Sequence, residues 1–506
     1  MRPISRRRAL QLGVVGATST AVGAWGLTRG RGDAQGLDPV SGQGAVAPPV
    51  LASAGGQLSV DLRPARRRVD VAGLPADVLT YHDTLPGPTW RLRAGDRLRV
   101  RLDNRLDAPT NLHTHGLLVS PEGRGDNPFV SIDPGESFDY LIDLPADHPP
   151  GVYWYHPHHH GTVADQVFGG LYGAIVVEDP DPACVPAARE RVLVVSDISL
   201  DPSGQVRSVT AMERMQGREG DLVLVNGQHQ PVLSARPGER ERWRVVNACS
   251  SRYLRLHLQA PPGQPGQDLQ LLGLDSGRMA APRPVGEVLL APGNRADLLL
   301  TASEGDTLLQ ALSHDRGAMH GMGGGGDDGA PAPAMGEPLT LARLRARGAP
   351  APAPGPVATH RAPRDLREAT VSAHRDITLG MGMGTGMGMG SMGTGSGDMM
   401  AFTINGRAFD PERTDQVAAA GTVEQWTLHN TTPMDHPFHL HTWPMQILAR
   451  GGRPQQDVTW RDVVDVPAHT TVTVRIAFDR HTGRTVHHCH VLDHEDAGMM
   501  AVVQVH

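Results

Sequence analysis

A unit of ten residues recurs three times along the 506-residue chain and restricts what the chain can fold into. The copies run Gly95 to Asn104, Gly238 to Asn247 and Gly421 to Asn430. In each, a glycine turn opens a run of alternating character, as in Leu98-Arg99-Val100-Arg101-Leu102, and the run closes on asparagine. Alternation with a period of two is the pattern of a half-buried strand. Each copy has a turn and strand downstream, at Asp133-Pro134-Gly135-Glu136, Ala291-Pro292-Gly293-Asn294 and Val466-Pro467-Ala468-His469. Units of this kind bury their apolar faces only by pairing with more strand, so the chain is expected to be all-β, in three tandem domains. Their expected bounds are 56–180, 186–345 and 401–506, with a linker at 346–400 and strands of the third domain beginning near 365. A content of 60 Gly and 42 Pro with 4% aromatics suits such a turn-rich protein, and no long amphipathic helix stands out.

The repeat also locates chemistry. Nine and eleven residues beyond Asn104 stand His113 and His115; the same offsets from Asn430 give His439 and His441, and from Asn247 give Leu256 and Leu258. The first and third domains therefore carry a metal-type His-x-His pair where the second is apolar. Further on, His156-Pro157-His158 in the first domain corresponds to His488-Cys489-His490 in the third. Eight imidazoles on two homologous domains are expected to converge where the first domain folds back onto the third, and they exceed what one ion needs.

Cys489, His494 and Met499 add thiolate, imidazole and thioether, and two histidines, a cysteine and a weak axial methionine are the ligands of a blue-copper site. His436, three residues before His439, supplies the second imidazole. Adjacent residues of a strand face opposite sides, so His488 and His490 turn away from the Cys489 site and toward a second one. His159, His160, His229 and His487 are read as surface or supporting residues, and Cys184 and Cys249 as plain thiols rather than a disulfide.

The formal net charge of −7 is mild, and nothing points to a nucleic-acid partner. Ser5-Arg6-Arg7-Arg8 followed by a weakly apolar stretch reads as a twin-arginine export signal over 1–30, with a flexible lead-in over 31–55. This stretch falls short of the roughly 20 apolar residues of a membrane span. The expected location is the periplasm, the cell envelope or the outside. Residues 380 to 400 form a Met/Gly run, with Met381, Met383, Met387, Met389, Met392, Met399 and Met400; a smaller patch is Met319-His320-Gly321-Met322. Thioethers are soft ligands that favour Cu(I). These methionines, with Met434, are candidate collectors of cuprous ions.

Four motifs, His113-Thr114-His115-Gly116, His156-Pro157-His158, His436-Pro437-Phe438-His439-Leu440-His441 and His488-Cys489-His490 through Met499, make the chain similar to the three-domain multicopper oxidases of the laccase and cuprous-oxidase group. The resemblance implies cupredoxin-like Greek-key β-sandwich or barrel domains and four copper ions. It implies a type 1 copper on His436, Cys489, His494 and Met499, and a type 2 copper on His113 and His439. The type 3 pair would take His115, His156 and His490 on one ion, and His158, His441 and His488 on the other. Electrons would pass from a reductant through Cys489 to His488 and His490, and O2 would be reduced to two waters. Glu495 and Asp126 would relay protons. The reductant is expected to be Cu(I), with phenols or aromatic amines as the alternative, in a monomeric enzyme. A copper nitrite reductase is disfavoured by the eight-imidazole set, and a non-enzymatic copper-binding descendant by the filling of every ligand position.

Overall fold

The computed structural model describes residues 39–187, 189–260, 269–317, 336–383 and 400–506. Among them the chain is built of β-sheets with a few short helices. The three repeat strands, Arg97–Asp103, Arg240–Asn247 and Val423–Asn430, occupy one position in three similar sheets. Each has a parallel neighbour on one side, Gln57–Leu62, Arg189–Ile198 and Ala373–Met383 respectively. On the other side each has an antiparallel neighbour, Ser137–Asp143, Arg295–Thr301 and Thr471–Ala477.

A second sheet faces each of these across an apolar core. The first core includes Leu98, Val100, Trp90 and Ile175; the second Trp243, Val245, Leu256 and Leu258; the third Trp426, Leu428, Phe438 and Leu440. Leu256 and Leu258, which replace the histidines of the other domains, are fully buried. They serve the core and leave the second domain without that donor pair.

The recurring asparagine has one task in all three copies. Its amide Nδ2 donates to two backbone carbonyls, at 3.0 and 2.8 Å for Asn104, 2.9 and 3.0 Å for Asn247, and 2.7 and 2.9 Å for Asn430. Its Oδ1 accepts from the backbone N–H two residues on, at Leu106, Cys249 and Thr432. The side chain thus satisfies buried backbone groups where the strand leaves the sheet. In the first and third domains it fixes the start of the loop that leads to the His-x-His strand.

Two expectations are corrected. Residues 39–55 are not a loose lead-in: Ser41 and Gly44 bridge to His229 and Val232, and Val50–Ala52 adds a parallel edge strand beside Gly87–Leu92. Backbone groups at a sheet edge accept any extended chain, so this Ala/Gly/Pro-rich stretch needs no apolar pattern to dock. Strands of the third domain do begin before 401, in keeping with the expected start near 365, but they run on into the Met/Gly segment expected to be linker over 380–400. The strand Ala373–Met383 pairs with Met400–Ile404, so Met381, Met383 and Met400 sit on strands. Residues 1–38, where the twin-arginine signal is expected, Met319-His320-Gly321-Met322, and Met387, Met389, Met392 and Met399 lie outside the described residues. Among the described residues no helix is long and apolar enough to cross a membrane.

Replacing Asn247 with Ala leaves the Arg252 and Leu290 carbonyls and the Cys249 N–H without their partner. We expect a loss of roughly 2–4 kcal/mol of stability, read as a lower urea midpoint. A loss under about 0.5 kcal/mol would show that water replaces the amide.

Candidate metal centre

Strand register brings the histidines together within each domain. His113 pairs with His156 across the His113–His115 and Gly151–His156 strands, and His439 pairs with His488 across His436–Leu440 and Gly483–Cys489. The alternating residues Phe438, Leu440 and Cys489 turn into the third core, so the histidines between them face out of it. Out of the third core means against the first domain. There the His113 ring stacks on His441 with centroids 3.9 Å apart, and His115 stacks on His439 at 3.9 Å. All eight rings are buried.

The nitrogens, not only the rings, converge. His158, His441 and His488 form a triangle of Nε2 atoms with sides of 3.2, 3.3 and 3.0 Å, and His113 and His439 place Nε2 atoms 3.4 Å apart. Donors about 2.0 Å from a shared ion stand on the order of 3.3 Å from one another, so these spacings fit ligands of a common cation. His113, His115 and His156, and likewise His115, His439 and Asp462, form further sets with donor atoms within 4.8 Å of one another. His490 enters none of these sets. Its ring lies 4.9 Å from His115 and 5.7 Å from His156, and both its nitrogens are buried without a hydrogen-bond partner.

The outer nitrogens determine which lone pair is free. His113 Nδ1 donates to Asp126 at 2.8 Å, His156 Nδ1 to the Pro157 carbonyl at 2.7 Å, and His439 Nδ1 to the Asp462 carbonyl at 2.8 Å. His488 Nδ1 lies 3.0 Å from the Cys489 carbonyl and 3.0 Å from Glu495. Each therefore offers Nε2. His115 is reversed: its Nε2 lies 3.2 Å from Asp462 Oδ1, and its buried Nδ1 is the unpartnered atom.

Burial pulls all eight imidazoles down, and for most of them neighbouring rings add to the effect. His158 and His488 fall to about 4 and the other six well below the ordinary value. They are neutral near pH 7, which is the form that binds a metal. Burial works the opposite way on the carboxyls. It pushes Glu495 up to about 7, against the pull of His158, and Asp126 to about 7 despite the Thr114 hydrogen bonds. Glu495 Oε1 is also 3.4 Å from His158 Nε2.

A second donor set lies on the other face of Cys489. His436 Nδ1 is 3.3 Å from the Cys489 sulfur and 3.3 Å from His494 Nδ1, and His494 Nδ1 is 3.9 Å from the sulfur. Met499 is buried in the same core, and its carbonyl accepts from the Cys489 N–H at 3.0 Å. Burial raises the Cys489 thiol well above its usual range, so a thiolate here calls for a cation. The far nitrogens are also held. His436 Nε2 meets the Thr432 hydroxyl at 2.8 Å, and His494 Nε2 donates to the Met215 carbonyl at 3.1 Å, with Phe402 stacked on its ring at 4.0 Å.

The short helix Leu492–Asp496 joins everything. Asp493 takes Arg218 of the second domain in a two-pronged contact, His494 serves the sulfur site, and Glu495 faces the histidine cage. Asp496 accepts from the Gly161 and Ala164 N–H groups of the first domain.

Sequence reasoning missed Asp462, Met215, Thr432 and Arg218. Asp462, Met215 and Arg218 act through contacts distant in sequence or a backbone atom, which no local spacing announces, and Thr432 acts through a hydroxyl four residues before His436 whose role shows only in the folded loop. His487 is not at the surface; it is buried and bonded to Gln416 at 2.7 Å. Met434 is buried beside His436, Met381 is half-buried, and Cys184 and Cys249 are free thiols.

Comparison with known proteins agrees with this chemistry. Residues 65–182 and 388–506 each match a family model described as multicopper oxidase. The multicopper oxidase MmcO of Mycobacterium tuberculosis is 28% identical, over 98% of this chain and 96% of its own. A solved multicopper oxidase from Campylobacter jejuni, described as a metallo-oxidase, superposes with a TM-score of 0.77 at 29% identity, covering 92% of this chain and 96% of that one. The cell division protein FtsP of Xenorhabdus nematophila is 27% identical over 85% of each chain.

The unfolded chain takes up protons on its imidazoles near 6.5, whereas the folded, metal-free protein does so only at about 4 or below. The unfolded state then binds more protons, and stability falls as pH falls through that window. The raised carboxyls Asp126, Asp197, Asp275, Asp465, Glu495 and Asp496 act with the opposite sign, but they are outnumbered by the eight cage imidazoles together with the lowered His148, His436, His487 and His494. Calorimetry of the metal-free protein should show an unfolding midpoint that drops steadily from pH 6.5 to 4; a flat or rising midpoint would contradict the neutral-cage reading.

Proposed function

The chain belongs to the multicopper oxidase family, an oxidoreductase family, and from that premise we propose an oxygen-reducing enzyme with four coppers that oxidises Cu(I). The observation that carries this is the three-residue junction His488-Cys489-His490, whose centre faces one donor set and whose histidine at 488 faces the other. In this reading His436, Cys489, His494 and Met499 hold the type 1 copper, and His113 and His439 the type 2. His115, His156 and His490 take one ion of the type 3 pair, and His158, His441 and His488 the other. Bound copper would supply one-electron oxidation of the reductant at the sulfur site and four-electron reduction of O2, with four protons, to two waters in the cage.

The chain's own residues do the rest. Cys489 links the two sites through its backbone and the 3.0 Å contact from its carbonyl to His488. Glu495 holds a proton within reach of His158 and His488. Asp126 holds the His113 ring and the Thr114 N–H. Burial of both centres excludes bulk water and keeps the reductant apart from the oxygen chemistry.

Thioethers around the sulfur site support Cu(I) as the reductant. Besides Met381 and Met434, the helix Ala211–Gln216 places Met215 against the third core and leaves Met212 half exposed. Because His494 Nε2 is already bonded to the Met215 carbonyl, a phenol has no free imidazole edge to bind there. Oxidation of phenols or aromatic amines is the second reading. A non-catalytic role, as the kinship with a division protein suggests, is disfavoured because all twelve donor positions are filled. The arginines at 6–8 support export in the folded state to the periplasm, envelope or outside, and one chain supplies every donor, which suits a monomer.

Oxygen uptake by the copper-loaded protein, with a stabilised Cu(I) donor or a phenol, tests the assignment. In a chain lacking 384–399, which spares the strands, Cu(I) turnover should fall several-fold while phenol turnover holds. Unchanged Cu(I) turnover with dominant phenol oxidation would make it a laccase, and no oxygen uptake with either would sink the enzyme.

A further inference from the structure

We infer that the donor-free second domain builds one wall of the histidine cage, and that Arg295 is the residue that positions the cage ligands from it. The inference rests on the copper assignment above. Arg295 is fully buried at the meeting point of all three domains. Its Nη1 and Nη2 donate to the two oxygens of Asp462, at 2.5 and 2.7 Å, and its Nε donates to the Val152 carbonyl of the first domain at 3.2 Å. Its guanidinium also lies over the Tyr153 ring.

Asp462 is the point of contact with the cage. Its Oδ1 faces His115 Nε2 at 3.2 Å, and its backbone carbonyl accepts from His439 Nδ1 at 2.8 Å. One residue thereby touches a ligand from each half of the cage. Held on both oxygens by the guanidinium, the Asp462 carboxyl is fixed in place facing His115 Nε2, and the ring is oriented with its buried Nδ1 left unpartnered. Without Arg295, Asp462 would lose the two donors that fix its carboxyl group, keeping the Ser276 hydroxyl at 3.4 Å and His115 itself.

Two glycines mark how closely this wall approaches. Gly116, directly after His115, has a φ of +86°, and a Cβ there would stand 2.2 Å from Arg295 Nη2 and 2.9 Å from Asp462 Oδ2. Gly293, two residues before Arg295, has a φ of +84°, and a Cβ there would stand 2.8 Å from the His490 ring. Between them Asn294 ties the same turn to Asp275, at 3.0 and 2.8 Å, and to the Val463 carbonyl at 3.1 Å. The turn is the second-domain copy of the repeat's downstream turn, reused here as a brace.

Partners that orient metal-bound histidines typically contribute 10- to 100-fold in metal affinity. The test compares the full chain with its Arg295→Met and Arg295→Lys variants, each loaded with copper. Copper per chain is measured under chelator competition, with the blue absorbance of the Cys489 site and the paramagnetic resonance spectrum as separate readouts. We expect Arg295→Met to keep its blue colour while about 10- to 100-fold weaker binding affects the cage copper alone. Arg295→Lys should lie between, because a point charge cannot span both Asp462 oxygens and the Val152 carbonyl. Should Arg295→Met fail to fold, Gly116→Ala approaches the same pair from the first domain and should give the same selective loss. Cage copper held as tightly as in the unaltered chain overturns the inference, as does parallel loss of blue colour, cage copper and unfolding midpoint. If the unaltered chain holds no cage copper, the copper assignment fails and this inference with it.

Discussion

Eight imidazoles and, beside them, a thiol are buried away from the protein surface, and the rest of the molecule answers to that constraint. Neutral imidazole lone pairs facing each other at 3.0 to 3.4 Å attract nothing by themselves. Such a site is stable only when a cation satisfies the lone pairs and a rigid frame keeps the rings from turning away. Metal binding and folding are therefore linked in one free energy. The frame is the β-sandwich, whose strands deliver histidines in alternate positions and whose asparagine pins hold the loops that feed them.

The three domains divide the work unequally. The first and third meet face to face, with His113 stacked on His441 and His115 on His439, so neither could hold the cage alone. The second contributes no imidazole to the cage yet meets it at Gly293 and through Arg295. Its helix Ala211–Gln216 covers the sulfur site with a carbonyl. With Leu256 and Leu258 where the other two domains carry His-x-His, its core is apolar through those positions.

Much of this was legible in the sequence. The repeat showed three β domains because a strand's period survives divergence of its residues. The cage histidines showed themselves because a strand places i and i+2 on one face, so spacing alone implies geometry. What escaped was of a different kind. Asp462 and Arg295 are 167 residues apart and meet only through the packing of two domains. Met215 acts through its carbonyl, which every residue owns. Val50–Ala52 docks by backbone pairing with a single side chain, Leu51, against the core, too short a run to show a pattern, and Met381 on its strand could not be told from the Met/Gly run that follows it.

The helix Leu492–Asp496 bears on the order in which the protein is assembled. Four consecutive side chains point to four different places, two of them the other domains, and a helix of five residues has little stability of its own. It takes shape only once Arg218 and the Gly161–Ala164 turn are in position to receive it. Since His494 lies on this helix, the donor set around Cys489 comes together only after all three domains have docked. The donor set around Cys489 is in this sense a checkpoint of chain completion: in a chain released early, or with its domains misdocked, His494 would not reach the sulfur.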